Sequence, residues 1–446
     1  MKIVVIGGVA AGMSAAAKAR REDKDAEIIV YEKGGFLSYA ACGMPYYIGN
    51  ENQSYEELII RTQEKFKESG IMAHLYHEVV SVDSKAQEVK VHDLKKDEFF
   101  TTTYDKLMIA TGAHAIMLPI EGNQLENISP LKTLDHGIDI KERIMDKSVE
   151  EITIVGGGYI GIEIAENLVE LGKKVRIIEL LDRILLPFDE EISSHAHNAL
   201  VEAGVDIKLK EKVLRLKDRN GDGIVDYVET DQGGYNTDFV VMAVGIKPNT
   251  EFLKGSGIEL SDNGAVVVDQ QMRTNVDHIY AAGDCAQVYH FQKKKNVYQP
   301  LATVANKCGK MVGVNMTGGS EVFAGAIGSA ALKVLNLELA RVGLSKEEAI
   351  ESGYAAEEKI IKTTDHPKYY KTQHQIVFKA IYDKNTYKIL GVQGVGEAGV
   401  VMRVNMFAVA IFAGMTAEEY SMIDLCYAPP FSGSWDATHI VTNVIK

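Results

Sequence analysis

Residues 151–179 read EITIVGGGYIGIEIAENLVELGKKVRIIE and decide the fold. A strand pattern runs into Gly156, Gly158 and Gly161, which have the spacing GxGxxG and open a helix pattern. Glycines at this spacing permit a tight turn and let a pyrophosphate approach the N-terminus of the helix. The next strand ends at Glu179, an acid suited to ribose hydroxyls. The stretch therefore predicts a dinucleotide-binding unit.

A similar unit opens the chain. KIVVIGGVAAGMSAAAKARR, from residue 2, has the pattern of a strand, a glycine turn and an Ala-rich helix, and the next strand AEIIVYE ends at Glu32. Gly7 and Gly12 match the outer glycines of the fingerprint, whereas Val9 takes the middle position, so this copy alone is weak. Two such units in one chain predict two bound dinucleotides.

Composition sets limits on the class of protein. A chain of 446 residues with 46% hydrophobic residues predicts about three globular domains. It contains no apolar run long enough to cross a membrane and opens directly on the strand MKIVVIGG, so we expect a soluble, cytoplasmic protein. The net charge of -14 argues against nucleic acid and anionic membranes as partners. The four cysteines are widely spaced, which is typical of free thiols in a reducing compartment.

One of these thiols, Cys42, lies in the stretch FLSYAACGMPYYIG, residues 36–49. Gly43 permits a tight turn and Pro45 suits a first helical turn, so Cys42 is expected at a helix N-terminus. Free backbone N–H groups there stabilise negative charge and favour a reactive thiolate. The alternative is a buried structural cysteine, since free cysteine is among the most buried residue types.

Residues 218–229, DRNGDGIVDYVE, have the spacing of a calcium-binding loop. The flanking segments VLRLK and IVDYVET alternate like strands, so we interpret NGDG as the tip of a hairpin and predict no metal site. Near the other end of the chain, His439 lacks any catalytic context and is expected on the surface of a helix.

Three further segments complete a pattern. They are YDKLMIATGAHA from residue 104, FVVMAVGIKPNT from residue 239 and HIYAAGDCAQ from residue 278. With the two nucleotide units, they resemble the flavoprotein pyridine nucleotide–disulfide reductase superfamily over essentially the whole chain. The resemblance implies an α/β fold with two Rossmann-like dinucleotide-binding domains of the glutathione-reductase type and an α+β C-terminal dimerisation domain. It implies an FAD-binding domain at 1–112 and 246–320, an NAD(P)H-binding domain at 113–245 and a dimerisation domain at 321–446.

The resemblance also implies the cofactors and their sites. The first unit would bind FAD and the second NADH, because Glu179 would repel a 2′-phosphate, while Arg183 nearby leaves NADPH open. Asp284 would bond the ribityl chain of the flavin, although an N-cap role suits it as well. Tyr159 would cover the flavin until nicotinamide displaces it. The cofactor-binding positions are Gly7, Gly8, Val9, Ala10, Ala11, Gly12, Glu32, Lys33, Val80, Ala110, Thr111, Gly112, Gly156, Gly158, Tyr159, Ile160, Gly161, Glu163, Glu179, Gly245, Asp284, Leu301, Ala302 and Thr303.

Within the superfamily the chain resembles the single-cysteine branch, because no second cysteine follows Cys42 in a CxxxxC pair. Ala10 stands where peroxidases and many oxidases of this branch carry histidine. The segment MIDLCYAPPFSGSWDATH, from residue 422, resembles the coenzyme A disulfide reductases, in which the tyrosine of YAPPFS enters the partner's active site. That tyrosine is Tyr427, and Tyr369 of the partner subunit is expected to share its role of protonating or orienting the leaving thiolate.

Coenzyme A contacts are expected on the first helix. Ser14, Lys18 and Arg21 are three to four residues apart and share one face, and they match family positions that contact the nucleotide end of the coenzyme. Ser38 also matches, whereas Ala41 departs from the asparagine that some members carry. A solvated helix face is the alternative for the two basic residues.

These features predict an FAD-dependent reductase that passes electrons from NAD(P)H through Cys42 to coenzyme A disulfide or a related persulfide. A homodimer with shared active sites is expected, in which Tyr427 and Tyr369 serve the partner subunit. An NADH oxidase that reduces oxygen through a sulfenic acid at Cys42 remains the alternative. A non-catalytic flavoprotein is the alternative outside the enzymes.

Overall fold

The computed structural model describes residues 1–445. Residues 1–115 form β1 (Lys2–Ile6), α1 (Ala10–Glu22), β2 (Glu27–Glu32), α2 (Met44–Ile48), α3 (Gln63–Glu68), β3 (Ile71–Leu75), β4 (His77–Asp83), β5 (Glu88–Asp93), β6 (Glu98–Thr103), β7 (Lys106–Ile109) and β8 (Ala113–Ala115). The second nucleotide unit follows as β9 (Ile128–Pro130), α4 (Leu134–Ile144), β10 (Glu151–Val155), α5 (Tyr159–Glu170), β11 (Lys174–Glu179), α6 (Glu190–Glu202), β12 (Asp206–Leu209), β13 (Val213–Lys217), β14 (Tyr227–Thr230), β15 (Gly234–Asn236), β16 (Phe239–Met242) and β17 (Ile246–Pro248).

The remaining elements are β18 (Ile279–Ala281), β19 (Val288–His290), β20 (Lys295–Val297), α7 (Ala302–Met316), β21 (Ala330–Val334), β22 (Leu337–Gly343), α8 (Lys346–Glu351), β23 (Ala356–Thr364), β24 (Gln375–Asp383), β25 (Ile389–Gly396), α9 (Val400–Ala413), α10 (Ala417–Ser421) and α11 (Ala437–Asn443).

Two parallel sheets of the same design organise the first two thirds of the chain. Their strand orders are β18-β7-β1-β2-β3 and β12-β11-β10-β16-β9. Apolar runs such as KIVVI and EITIV form their central strands because a parallel sheet covered by helices buries both faces. The predicted order of strand, glycine turn, helix and strand is confirmed in both units.

The first sheet is discontinuous in sequence. Its edge strand β18 pairs with β7, although the whole second sheet lies between them along the chain. The short strands β8 and β17 pair antiparallel where the chain leaves and re-enters the first unit. On this sheet α1 packs against α7 through small residues, since a Cβ atom on Gly309 would lie 2.3 Å from the backbone oxygen of Ala11.

The last third folds around an antiparallel sheet of order β21-β22-β25-β24-β23. Its core joins sheet residues such as Phe378 to Phe407 of α9 and Tyr420 of α10, whose rings stack 4.6 Å apart. This arrangement confirms the predicted sheet with apolar helices on one face.

The hairpin prediction for residues 218–229 is confirmed. β13 and β14 pair antiparallel around the loop, with Lys217 opposite Tyr227. At its tip the carboxylate of Asp218 accepts backbone N–H groups, from Gly221 at 2.6 Å and from Gly223 at 2.8 Å. This side chain therefore holds the turn of its own loop.

The surface prediction for His439 is wrong. The side chain is buried in α11, where its Nε2 lies 3.0 Å from the backbone oxygen of Ile423 and its ring meets that of Trp435 edge to face. A short terminal helix that packs against α10 leaves little exposed face, and the sequence did not reveal which face that would be. Among residues 1–445, no helix is both long and apolar enough to cross a bilayer.

Candidate active site

Each nucleotide unit contains a glycine turn into which no side chain fits. Gly7 has φ +104°, and a Cβ atom there would lie 2.2 Å from the backbone oxygen of Ala110. A Cβ atom on Gly12 would lie 1.9 Å from the backbone oxygen of Gly7. The second unit repeats the geometry, with φ +107° at Gly156 and a distance of 2.1 Å from a Cβ atom on Gly161 to the oxygen of Gly156. Only glycine satisfies these positions.

The middle position of the fingerprint differs between the two turns. A Cβ atom on Gly158 would meet no atom of the chain within 4 Å. The fold therefore does not require glycine there, and Val9 at the corresponding position of the first turn leaves the geometry intact. A glycine at such a position is required by the close approach of a ligand rather than by packing within the chain.

An acidic residue closes each turn in the same way. Glu32 accepts the backbone N–H of Gly8 at 2.6 Å and that of Gly34 at 2.7 Å, while burial raises its pKa. Glu179 likewise accepts the N–H of Gly157 at 2.6 Å and that of Leu181 at 2.8 Å. The carboxylates are thus fixed beside both glycine turns, where remaining lone pairs can accept hydroxyl groups. Together the two turns and acids fit two dinucleotides.

Cys42 lies in a 3-10 turn, Ala41–Gly43, directly before α2. The thiol is exposed, so the alternative of a buried structural cysteine is wrong. The predicted place directly before a helix is found, while the side-chain charges around the thiol are mixed. Partial burial raises the pKa of Cys42, the carboxylate of Glu163 raises it further, and Lys132 opposes them. A carboxylate 121 positions away in sequence could not be read from the motif around the cysteine.

Glu163 projects from the second turn of α5. Burial, followed by the charge of Glu166, raises its pKa to about 7. Glu163 is therefore partly protonated near neutral pH. Its negative charge, and with it the upward effect on the pKa of Cys42, grows as the pH rises through 7. Tyr159, one turn earlier, is half-buried, and its ring lies edge to face against Phe188 with centroids 6.1 Å apart.

Lys132 is a site residue that sequence reasoning missed. It follows the edge strand β9, and its Nζ donates to Oδ2 of Asp284 at 2.6 Å. Asp284 follows β18 of the other sheet, so the ion pair joins the two nucleotide units close to Cys42. The two residues are 152 positions apart and share no motif, so only the tertiary structure brings them together.

Tyr369 and Tyr427, the tyrosine pair, meet in the C-terminal third of the chain. Their hydroxyl oxygens are 3.0 Å apart, and the residues are 73% and 50% exposed. This hydrogen bond raises the pKa of Tyr369. Two exposed phenols held together at a surface present a proton donor to whatever covers that surface.

The expected coenzyme A contacts cluster along α1. Ser14 donates to Oδ1 of Asn306 on α7 at 2.9 Å, and Lys18 pairs with Glu22. Arg21 is exposed at the C-terminal end of the helix. Ser38 lies in the loop after β2 with φ +48°. Asn306 was not singled out from the sequence, because its place beside Ser14 depends on the packing of two distant helices.

The other predicted cofactor positions lie on several elements of the two nucleotide units. Thr111 donates to the backbone oxygen of Asn249 at 2.7 Å, and Lys33 pairs with Glu78 at 2.7 Å. Gly112 and Gly245 have φ +65° and +119°. The remaining positions are Ala10 and Ala11 at the start of α1, Val80 in β4, Ala110 after β7, Ile160 in α5, and Leu301, Ala302 and Thr303 at the start of α7.

Residues 1–309 match the family described as pyridine nucleotide-disulphide oxidoreductase, and residues 329–438 match its dimerisation domain. A CoA-dependent NAD(P)H sulfur oxidoreductase of Pyrococcus abyssi is 36% identical, covering 100% of this chain and 98% of the relative. An NADH oxidase of Enterococcus faecalis is 31% identical, covering 99% of each, and a coenzyme A disulfide reductase of Staphylococcus haemolyticus is 29% identical, covering 99% and 98%.

A solved structure extends the likeness to the whole fold. The NAD-dependent persulfide reductase from A. fulgidus superposes with a TM-score of 0.95 at 35% identity, covering 100% of this chain and 83% of that protein. The predicted two nucleotide domains and dimerisation domain are confirmed by the matched families and by this superposition.

Proposed function

Because the chain belongs to the pyridine nucleotide-disulphide oxidoreductase family, we propose that it is an FAD-dependent reductase of coenzyme A disulfide or a related CoA persulfide. The electrons come from NADH or NADPH and reach the substrate through Cys42. The observation that carries the proposal is the tyrosine pair, whose exposed hydroxyls are 3.0 Å apart on the dimerisation domain. Reduction of a disulfide needs a proton for each leaving thiolate, and a pair of phenols can supply it.

Cys42 is the proposed nucleophile. Its sulfur attacks one sulfur of the substrate, the S–S bond breaks, and one coenzyme A leaves as a thiolate that takes a proton from the tyrosine pair. The other coenzyme A remains in a mixed disulfide with Cys42. Two electrons from the nicotinamide cofactor cleave that bond, releasing the second coenzyme A and restoring the thiolate. The mechanism needs no second cysteine: Cys285 and Cys308 are buried, and no cysteine follows Cys42 in a CxxxxC pair.

The two glycine turns are the proposed cofactor sites. Gly7, Gly12 and Glu32 would hold FAD, with Thr111 and Asp284 at the crossing between the units. Flavin bound there supplies the two-electron transfer between nicotinamide and a disulfide. The second turn and Glu179 would hold the nicotinamide dinucleotide, with NADH preferred because the carboxylate repels a 2′-phosphate.

Substrate binding and assembly complete the proposal. Ser14, Lys18, Arg21 and Ser38 would contact coenzyme A, whose phosphates suit the basic face of α1. We propose a homodimer in which the tyrosine pair of one subunit serves Cys42 of the other, since both phenols lie exposed on the dimerisation domain. The four free thiols support a cytoplasmic location.

An NADH oxidase is the second candidate, and the relative from Enterococcus faecalis supports it. In that reaction Cys42 would cycle through a sulfenic acid, and its exposure is compatible with this chemistry. The tyrosine pair favours the disulfide reductase over the oxidase. A coenzyme A thiolate that leaves the disulfide needs a proton donor at that surface, whereas the reduction of oxygen produces no thiolate leaving group.

Tyr427→Phe tests the proposal. It keeps the ring and removes one hydroxyl, so we expect NADH-reduced enzyme to react with coenzyme A disulfide on the order of 10²-fold more slowly. Reduction by NADH and reaction with oxygen should change little. Tyr370→Phe is the matched control, because Tyr370 is also exposed and adjoins Tyr369 in sequence. Stopped-flow absorbance follows all three reactions, and an unchanged reaction with the disulfide would remove the tyrosine pair from the mechanism.

A further inference from the structure

One buried guanidinium connects the two loops that carry the tyrosine pair. Arg403, on the first turn of α9, is 8% exposed. Its Nη2 donates to the backbone oxygen of Asp365 at 2.8 Å and to that of Phe431 at 2.9 Å. Asp365 precedes Tyr369 by four residues, and Phe431 follows Tyr427 by four. A single nitrogen therefore fixes the spacing between the two segments.

The guanidinium is itself held on its other sides. Its Nε donates to Oδ2 of Asp436 at 2.9 Å, and Nη1 donates to the backbone oxygen of Gly399 at 3.2 Å. Asp436 also caps α11 by accepting the N–H of Thr438 at 2.9 Å. The N-terminus of α9 is anchored in turn, because Glu338 on β22 accepts the N–H of Val400 at 2.7 Å. Arg403 thus connects the helical layer and the sheet to both loops.

We propose that Arg403 is the positioning residue of the tyrosine pair. The hydroxyl contact at 3.0 Å joins two loops whose outer residues are exposed, and the guanidinium is the buried group that donates to both. Its role in catalysis rests on the function proposed above, in which the pair protonates the leaving thiolate. Arg403 does not touch the substrate and acts through the two tyrosines.

Arginine is required for this arrangement because its donors point in fixed directions. In the planar guanidinium, Nε donates to a carboxylate while Nη2 donates to two carbonyl oxygens. A lysine retains the charge for Asp436, but one ammonium on a flexible stem cannot reproduce that geometry. Arg403→Lys should therefore keep the buried ion pair while loosening the loops.

The first test measures the loops directly. Hydrogen–deuterium exchange of the flavin-loaded protein should rise in residues 365–374 and 426–432 of Arg403→Lys, with other regions unchanged. The matched control is Arg176→Lys, because Arg176 also donates to a carboxylate, Asp206, and to a backbone oxygen, that of Asn236. Exchange that rises in neither segment, or that rises equally throughout the chain, would overturn the inference.

The second test is a double-mutant cycle with Tyr427→Phe. If Arg403 acts through the pair, Arg403→Lys should lose most of the roughly 10²-fold that Tyr427→Phe loses in the reaction with coenzyme A disulfide. The double variant should react little more slowly than Tyr427→Phe alone, because both changes remove the same contribution of the tyrosine pair. Fully multiplicative losses would show an independent role and overturn the inference.

The two tests separate this inference from the proposed function. If Tyr427→Phe reacts at the wild-type rate while exchange rises in both segments, the positioning role stands and the proposed function fails. If Arg403→Lys does not fold, Asp436→Asn replaces it, since that change removes the carboxylate charge that orients the guanidinium through Nε and so weakens its hold on both carbonyl oxygens. Exchange in the two segments must then rise, and unchanged exchange again overturns the inference.

Discussion

The second glycine turn allows packing and ligand binding to be tested at two glycines only three residues apart, Gly158 and Gly161. Gly161→Ala would place a Cβ atom 2.1 Å from the backbone oxygen of Gly156, a distance that real contacts do not show. Gly158→Ala would place a Cβ atom in open space, with no atom of the chain within 4 Å. The same chemical change should therefore damage the fold at one position and leave it intact at the other.

The expected magnitudes follow from these distances. Relieving the contact at Gly161 requires the strand end or α5 to move, and overpacking of this kind costs about 1–3 kcal/mol. A domain of this size loses about 2–4 °C of Tm per kcal/mol, so Tm should fall by roughly 2–12 °C. Gly158→Ala should stay within about 0.5 kcal/mol of the wild type, as substitutions without contacts do.

Circular dichroism during heating measures the stability of both variants, and calorimetric titration with NADH measures binding. We expect Gly158→Ala to unfold like the wild type but to bind NADH more weakly, because its methyl group would occupy the path of the pyrophosphate. Equal stability of the two variants would refute the packing argument. Unchanged NADH affinity in Gly158→Ala would refute the placement of the dinucleotide.

Three other predictions concern the site. Cys42→Ser should abolish reduction of coenzyme A disulfide while the protein still binds FAD and is reduced by NADH, and a wild-type rate in a steady-state assay would contradict the proposed nucleophile. Glu163→Gln should lower the pKa of Cys42, because ionised Glu163 raises it, so the pH midpoint for alkylation of Cys42 by iodoacetamide should move to lower pH, as peptide mass spectrometry would show. Glu170→Gln, an exposed change on the same helix, is its control, and an upward shift would show the sign to be wrong. Glu179→Ala should narrow the preference for NADH over NADPH in kcat/KM, and a wild-type preference for NADPH would refute the role given to that carboxylate.

The parts of this fold that the sequence predicted are local. Strand, glycine turn, helix and acid follow one another within about 30 residues in each unit, so periodicity and spacing were enough to place Glu32 and Glu179 beside their turns. The hairpin at residues 218–229 was also predictable, because alternation on both sides of NGDG outweighed the spacing of a calcium loop. Tyr427 was found through the resemblance, whereas its contact with Tyr369, 58 positions away, was not predicted.

The parts that the sequence did not predict depend on distant partners. The pKa of Cys42 is raised by partial burial and by the charge of Glu163, a residue of the other nucleotide unit. Lys132 and Arg403 act on groups that are far from them in sequence and carry no motif of their own. His439 was misplaced because helical periodicity over seven residues of α11 does not reveal which face is covered.

The pairing of β18 with β7 has a consequence for how the protein is made on the ribosome. Lys106, the first residue of β7, and His278, directly before β18, are 172 residues apart, so at about 5–20 residues per second the first sheet lacks its edge for on the order of 10–30 s of translation. The ribbon of β8 and β17 brings the two ends of the intervening segment together, so it shortens the loop that must close when β18 pairs with β7. Nascent chains arrested between residues 248 and 278 should therefore resist protease in the inserted unit while the first unit is still cut, and release of the completed chain should protect both.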